Sequence, residues 1–438
     1  MRAYFEQLLN AGQVRTIRRE VDPRFQLAAI TQASQRRDEQ VILFEKVKGT
    51  RLPVVSNIYG SRNRLCDLVG ATDGRFCKRW LELVGQLADM NPAAISVLSR
   101  DDRRKPAKLS DLPQITYFEK DAGPYFTSAI YLARNPETGV NNLSFHRSMI
   151  VSDKELRVRI GSTHDLHHYM SIAEARDEDL PAALLIGVAP ELFVAACASL
   201  HRDEDELAAA ALMRGAPLEM TSCETIDLKV PASTQVVVEG RFLRGERRAE
   251  GPFGEFMGYY VPVGDNHVFE VNHVSLAKDP LFHSLLCGTA EDIYPLDLAT
   301  SARIYRRLSE QLPGILNVAC YPVIMNTIIQ IEQKFEGHGR QVLLAAMAAN
   351  LDYSKTCMVV DEDVNIYDLT DVWWAFVTRG RADTRALVIP DMPGFYRDPH
   401  KDHWGRLAID ATRPWGRQAE FERKRIPGAD GINLDDYV

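Results

Sequence analysis

The sequence lacks any run of 18 or more apolar residues, although 45% of its 438 residues are hydrophobic. A membrane-spanning helix needs a run of about that length, so none is predicted. The first 20 residues have an amphipathic helical pattern without the apolar centre of a signal peptide. We therefore expect a cytoplasmic protein that does not act at a membrane.

The sequence also lacks a disulfide or zinc framework. It has no Cys-x-x-Cys pair, and its cysteines are odd in number and widely scattered. They are Cys66, Cys77, Cys197, Cys223, Cys287, Cys320 and Cys357. We expect reduced and mostly buried thiols.

A basic block is missing too, since 52 Lys and Arg face 60 Asp and Glu and the net charge is −8. Nucleic acids and anionic membranes bind concentrated positive charge, so neither is an expected partner. The absence of G-x-G-x-x-G and Walker sequences argues against a dinucleotide fold and a phosphate-cradling glycine loop. What remains is the composition of an enzyme that acts on small molecules.

The alternation of helical and strand patterns predicts an α+β or α/β chain in three parts. Residues 1–110 alternate helices and strands, as an α/β unit does. Residues 111–315 are the richest in strands and predict an α+β domain or a barrel with inserted helices. Residues 316–438 predict βαβ units with a partly parallel sheet and end in a polar tail, expected to pack on another surface or be loose. The charged stretch 99–113 is a predicted solvated linker.

Residues 239–260 read EGRFLRGERRAEGPFGEFMGYY, in which Glu250 and Glu255 flank Gly-Pro-Phe-Gly. Glycine and proline between two apolar runs predict the bend of a β-hairpin or a loop at a sheet edge. Two acids on such a bend can converge on one cavity, where burial or mutual repulsion raises the pKa of one while the other stays ionised. The alternative is a solvated turn with two ordinary surface acids.

This stretch, with VPASTQVVVEG at 230–240, resembles the signature of the UbiD family of decarboxylases. The Asp-Ala-Thr at 410–412 is similar to the family's closing motif, and the resemblance extends along nearly the whole chain. It implies a central split β-barrel similar to that of flavin reductases. It also implies reversible, non-oxidative decarboxylation of an aromatic, heteroaromatic or α,β-unsaturated acid. The implied cofactors are prenylated FMN, a divalent metal (Mn²⁺ or Mg²⁺) and K⁺.

Residues 142–147 read NLSFHR and enter a predicted strand. An Asn and an Arg there are typical of a turn and a surface charge. They can also reach one site, the amide facing a metal and the guanidinium forking a carboxylate. The N-x-x-x-x-R spacing resembles the UbiD pattern, which implies that Asn142 binds metal and that Arg147 is catalytic. Ser144 and Phe145, and Arg147 itself, are then expected among the cofactor-binding residues.

Three histidines, His164, His167 and His168, follow at i, i+3 and i+4 spacing on a predicted helix. Because adjacent helical residues point about 100° apart, the spacing alone does not predict a three-histidine zinc site. The resemblance implies that one histidine completes the metal site; His164 matches best, with the other two as alternatives. It also implies Glu206 as a ligand, although an acid in a first helical turn is explained by the helix dipole alone. Asn142, His164 and Glu206 form an O/N set that suits a hard divalent ion.

The resemblance further implies that Arg147 positions the substrate carboxylate and pairs with Glu250. Glu255 is the expected proton donor, its pKa raised by an apolar pocket that includes Phe253 or Phe256. A cofactor is needed because side chains offer no electron sink for the carbanion left on an sp² carbon.

Two acidic stretches receive different interpretations. Glu291, Asp292 and Asp297 indicate a substrate with hydrogen-bonding ring substituents. The four acids within residues 359–368 have no calcium-loop glycine and are interpreted as structural.

We expect CO₂ as a product or co-substrate, a flavin prenyltransferase as the cofactor's supplier, and a homodimer or homohexamer. Two other classes stay open: an FMN-dependent split-barrel oxidoreductase, which would consume NAD(P)H, and a non-catalytic binding subunit. The joint presence of Arg147, Glu250 and Glu255 weighs against the subunit.

Overall fold

The computed structural model describes residues 1–90, 95–98, 104–198, 200–202, 204–349, 353–395, 398, 403–428, 431–432 and 437. Within these ranges the chain forms two compact units, one mainly of residues 1–306 and one mainly of residues 307–438.

The first unit contains helices and strands in alternation. Its helices are Arg2–Asn10 (α1), Gln26–Gln35 (α2), Arg62–Leu68 (α3), Phe76–Val84 (α4), Asp165–Ala175 (α5), Pro190–Cys197 (α6), Glu206–Arg214 (α7) and Ala290–Ser309 (α8). Its strands are Val14–Ile17 (β1), Val41–Phe44 (β2), Val54–Ser56 (β3), Ser96–Leu98 (β4), Lys105–Ala107 (β5), Tyr125–Phe126 (β6), Ile130–Arg134 (β7), Asn141–Phe145 (β8), Ser148–Ser152 (β9), Glu155–Val158 (β10), Leu180–Ile186 (β11), Leu218–Ser222 (β12), Lys229–Pro231 (β13), Val236–Glu250 (β14), Phe253–Gly254 (β15), Tyr260–Val261 (β16), Gly264–Leu276 (β17) and Phe282–His283 (β18).

A large sheet dominates this unit, with the strand order β6-β9-β10-β17-β14-β11-β7-β8 and β5 pairing with β17. Its central strand β11 has the sequence LPAALLI and is buried along nearly its whole length, as expected of a strand covered on both faces. Helix α5 contacts β7, β8, β11 and β14. It packs through Leu166, Tyr169, Met170 and Ala173, an i, i+3, i+4, i+7 stripe.

Smaller sheets complete the first unit. The order β1-β2-β3-β18 brings strands from the two ends of the unit together, β13-β12-β4 forms a second sheet, and β15 pairs with β16. The hairpin predicted across Asp153-Lys154 is confirmed, since β9 and β10 pair antiparallel on either side of it.

The second unit is a mixed sheet with helices. Its elements are Ile315–Ala319 (β19), Asn326–Ile331 (β20), His338–Ala349 (α9), Thr356–Asp361 (β21), Leu369–Arg379 (α10), Ala386–Pro393 (β22) and His403–Asp410 (β23). The order is β19-β20-β21-β23-β22. Strand β21 runs parallel to both β20 and β23, which confirms the predicted partly parallel sheet.

The mixed α+β class is thus confirmed, but the predicted linker is wrong in its described part. Strand β5 pairs antiparallel with the end of β17, and Leu109 and Leu112 are fully buried. The many charged residues of this stretch favoured the linker interpretation, although Leu109 and Leu112 anchor it in the core. Residues 99–103, the most charged part, lie outside the described residues.

The cysteine prediction is confirmed, because no disulfide joins any of the seven cysteines, all of which lie in the described ranges, and four are buried. None of the described helices is both long and apolar enough to cross a bilayer.

Candidate active site

Arg147 lies between β8 and β9 and makes a two-pronged ion pair with Glu250. Its Nε donates to Glu250 Oε1 at 3.0 Å and its Nη2 to Oε2 at 2.9 Å. The Arg147 side chain is 10% exposed and that of Glu250 is fully buried. The predicted pair is therefore present, in the planar geometry that a guanidinium favours with a carboxylate.

Glu250 is the last residue of β14, and further donors hold it. Tyr125 donates its hydroxyl to Oε1 at 2.9 Å, and Asn266 donates its amide to Oε2 at 2.8 Å. Burial and the adjacent Glu250 charge raise the pKa of Tyr125, so this hydroxyl stays a donor. Neither Tyr125 nor Asn266 was predicted, because they lie about 125 and 16 residues from Glu250 in sequence and belong to no motif.

Glu255 is buried and contacts the same guanidinium through Arg147 Nη1. Glu250 and Glu255 thus converge as predicted, and they contact different nitrogens of the same guanidinium. Phe253 lies between them in sequence, and the Arg147 guanidinium lies 4.7 Å from the centre of its ring. The buried Phe253 ring gives the site an apolar wall, and Phe256 is buried as well.

The Gly-Pro-Phe-Gly segment leaves the large sheet after Glu250 and is held by a neighbouring loop. Asp121 accepts the Gly254 N–H at 2.9 Å, and Ala122 donates its N–H to Pro252 O at 2.9 Å. A side chain at Gly254 would meet the Phe118 ring, 2.4 Å from an added Cβ. The predicted bend is shifted, because Phe253-Gly254 form β15 and the chain turns back after Glu255.

Asn142 and Glu206 meet where β8 faces the start of α7. Asn142 Nδ2 donates to Glu206 Oε1 at 3.2 Å, and Leu143 N–H donates to Oε2 at 3.1 Å. The Asp205 side chain caps α7 by accepting from Leu207 N–H, which fixes Glu206 in the first turn. Burial raises the pKa of Glu206 well above its usual value.

His146 connects this pair to the predicted histidine and was not itself predicted. Its Nε2 lies 2.9 Å from Ser144 Oγ, and Ser144 Oγ donates to Asn142 Oδ1 at 2.8 Å. Its ring centre is 5.1 Å from that of His164. His146 lies within the NLSFHR motif, between the predicted residues Phe145 and Arg147. That position in the motif was the sequence signal that could have identified it as a site residue.

The other two histidines have different neighbours. The His167 ring lies 6.0 Å from that of His267, and the His168 ring 6.4 Å from that of Tyr169. His164 precedes the first residue of α5, so the helical i, i+3 argument does not apply to it. Phe145, predicted to contact cofactor, packs edge-on against Phe193 with ring centres 5.1 Å apart.

The donor chemistry near Glu206 fits a hard cation. A buried carboxylate whose pKa is raised by burial is a place where a positive ion offsets the cost of the charge. The neighbouring Asn142 directs its NH₂ group to Glu206, and its amide oxygen accepts from Ser144 Oγ. Within the described ranges no group of three His, Cys, Asp or Glu side chains is placed to hold a metal. The predicted set has only two such residues, His164 and Glu206, and depends on the amide.

The interpretation of Glu291 and Asp297 as substrate contacts is contradicted by their surroundings. Glu291 is fully buried and accepts from Asn57 N–H at 2.5 Å, Tyr59 N–H at 3.0 Å and His283 Nε2 at 2.9 Å. Asp297 accepts from Ser301 Oγ and Cys320 N–H. Both carboxylates hold backbone segments in place, a role that composition does not reveal.

Known proteins resemble the chain along nearly its whole length. Three family models match: the 3-octaprenyl-4-hydroxybenzoate carboxy-lyase N-terminal domain at residues 5–84, its Rift-related domain at 92–290 and its C-terminal domain at 294–411. A curated relative, anhydromevalonate phosphate decarboxylase of Methanothermobacter thermautotrophicus, is 32% identical over 92% of this chain and 95% of its own.

The chain belongs to the UbiD family.

Other UbiD-family proteins similar to this chain also indicate that it is a carboxy-lyase. The anhydromevalonate phosphate decarboxylase of Methanosarcina mazei is 30% identical over 97% of this chain and 99% of its own. Among solved structures, the UbiD-class enzyme HmfF from Pelotomaculum thermopropionicum, in complex with FMN, is 32% identical with a TM-score of 0.90, over 100% of this chain and 99% of that one. An evolved dimeric form of HmfF in complex with prFMN has a TM-score of 0.89 at the same identity and coverage. The chain is therefore a decarboxylase of this family.

Proposed function

We propose that this decarboxylase uses prenylated FMN to remove CO₂, reversibly and without net oxidation, from an aromatic, heteroaromatic or α,β-unsaturated carboxylic acid. The observation that carries the proposal is the buried arrangement of Arg147 between Glu250 and Glu255 in a chain of this family. Such a group offers one fixed cation, one anion paired with it, and a second acid in contact with the same guanidinium.

Each residue has a distinct proposed task. Arg147 orients the substrate carboxylate by charge and hydrogen bonding, and Glu250 keeps the guanidinium in plane. When the bond to the carboxyl carbon breaks, CO₂ leaves and the electron pair stays with the substrate carbon. Glu255, protonated at that moment, gives its proton to this carbon and must regain one from solvent before the next cycle. The overall change is a carboxylate and a proton converted to CO₂ and a C–H bond.

The cofactor would be held at the Asn142 end of the site. Asn142, His164 and Glu206 would bind Mn²⁺ or Mg²⁺ there, with K⁺ nearby, and Ser144, Phe145 and Arg147 would contact the flavin. When bound, prenylated FMN supplies the electron sink that no side chain provides. The buried carboxylate of Glu206 supports this assignment, because a divalent ion offsets its charge.

The remaining parts of the proposal concern supply and assembly. A flavin prenyltransferase would deliver the cofactor, and the chain would assemble as a homodimer or homohexamer. We retain the three-domain division at 1–110, 111–315 and 316–438 as part of the proposal.

The test is co-expression with a flavin prenyltransferase, followed by the absorption spectrum and mass of the bound cofactor. We expect prenylated FMN and CO₂ release from at least one acid in a panel of aryl, heteroaryl and acrylic acids. Glu206→Gln should lower the flavin content, whereas Glu204→Gln, two residues away, should not. Unmodified FMN that turns over with NAD(P)H, or protein without flavin, would contradict the proposal.

A further inference from the structure

Asn266 lies on β17, beside the end of β14 that carries Glu250. In the antiparallel register Asn266 is opposite Arg248, and Glu250 is opposite Gly264. Asn266 and Glu250 are therefore diagonal neighbours on one face of the sheet. This explains how two residues that no motif connects lie within 2.8 Å.

The orientation of the Asn266 amide follows from its second contact. Arg159 Nη1 donates to Asn266 Oδ1 at 3.1 Å. A guanidinium has donors only, so the oxygen of the amide must face Arg159 and the NH₂ group must face Glu250. Asn266 is 4% exposed, and its amide is thus fixed as a donor to Glu250 Oε2.

We propose that Asn266 is a positioning residue for decarboxylation, which holds Glu250 in the plane of the Arg147 guanidinium through its donated hydrogen bond. The inference depends on the proposed function, because it assumes that the Arg147–Glu250 pair acts on substrate. Tyr125 performs the matching task at the other oxygen, Oε1. Between them, the two donors leave Glu250 no freedom to rotate away from Arg147.

The test compares Asn266→Ala and Asn266→Asp in flavin-loaded enzyme, on an acid that the wild type decarboxylates. Loss of a hydrogen bond to a charged group should lower kcat by about 10- to 100-fold in Asn266→Ala, with KM and flavin content unchanged. Asn266→Asp should be slower still, although it keeps the shape, because it places a second carboxylate against Glu250. A packing role would give the opposite order.

Asn135→Asp is the matched control, since Asn135 is also buried but uses its oxygen to accept N–H groups in a turn. It should retain wild-type kcat. Tyr125→Phe, which removes the other donor without changing shape, should lower kcat by about 10-fold and decides the matter if the Asn266 variants do not load flavin.

Wild-type kcat in Asn266→Asp, or in Tyr125→Phe when it alone loads flavin, would overturn the inference while the proposed function stands. A flavin-loaded wild type that is inactive on every acid would overturn both.

Discussion

Two buried arginines, one in each unit, are each bound to two carboxylates in nearly the same way. Arg147 grips Glu250 with two nitrogens and contacts Glu255 with the third. Arg379 grips Asp363 at 2.8 and 2.6 Å and contacts Asp361 at 3.1 Å. An arginine between two acids is therefore not, by itself, a mark of catalysis.

The surroundings distinguish the two arginines. Further donors do not separate them, because Asp361 accepts from Gln333 and Arg413 much as Glu250 accepts from Tyr125 and Asn266. Exposure does, since the Arg379 side chain is 1% exposed against 10% for Arg147. Each guanidinium also lies over an aromatic ring, Trp374 for Arg379 and Phe253 for Arg147. The Arg379 group ties β21 to α10, which agrees with the structural interpretation of residues 359–368. The Arg147 group lies among loops and the end of a strand.

The largest expected difference is in turnover. Arg147→Leu should lower kcat/KM by about 100- to 1,000-fold, as loss of a preorganised cationic donor does. Arg379→Leu should keep wild-type kcat/KM in the fraction that stays folded, because its described contacts include none of the proposed site residues. Steady-state CO₂ release per bound flavin measures both. Equal losses in the two variants would remove the functional distinction.

The free energy of unfolding should fall far more when buried Arg379 is replaced than when an exposed arginine of the same unit is replaced. Arg379→Leu removes the cation that grips Asp363 and one of the two bound to Asp361, whose other is Arg413, and should cost about 3–5 kcal/mol of unfolding free energy. Arg381, which is 65% exposed and pairs with Asp383, is the control; Arg381→Leu should leave the unfolding free energy nearly unchanged, because solvent screens an exposed ion pair. Urea denaturation followed by tryptophan fluorescence gives both values, and a cost below about 1 kcal/mol for Arg379→Leu would be inconsistent with a structural role.

The smallest effect is a pH dependence at Asp363. Burial pushes its pKa up, but the hydrogen bond and charge of Arg379 outweigh burial, so that its pKa lies below the usual 3.8. A pKa lowered by folding stabilises the protein above the unfolded value and ceases to do so as pH falls through the folded value. The stability difference between wild type and Asp363→Asn should be constant from pH 7 to 5 and shrink below about pH 3.8. A difference that stays constant to pH 3 would contradict this assignment.

Most of the fold followed from local patterns. The apolar run of β11, the stripe of α5 and the hairpin at Asp153-Lys154 depend on neighbours in sequence, so local patterns were sufficient to predict them. The error at residues 104–112 had a different cause. Strand β5 is stabilised by pairing with β17, about 170 residues away. Its own sequence is typical of a solvated linker, so no local pattern predicts the strand.

The candidate site divides in the same manner. Arg147, Glu250 and Glu255 stand in recognisable motifs, and the structure brings them together. Asn266, Tyr125 and His146 reach the other site residues only once the strands have paired. Nothing in the composition therefore indicates Asn266 or Tyr125 as site residues. The opposite error occurred at Glu291 and Asp297, whose partners are mostly backbone N–H groups and are invisible in the sequence.

The central claim is that the Arg147 group is reactive and that Glu255 is its proton donor. The most direct test is single-turnover CO₂ release by Glu255→Gln and wild type, both loaded with the same cofactor and compared at equal flavin content. We predict a fall of about 100-fold or more, because general acid catalysis contributes that much, with flavin content unchanged. Wild-type turnover in Glu255→Gln would contradict the account.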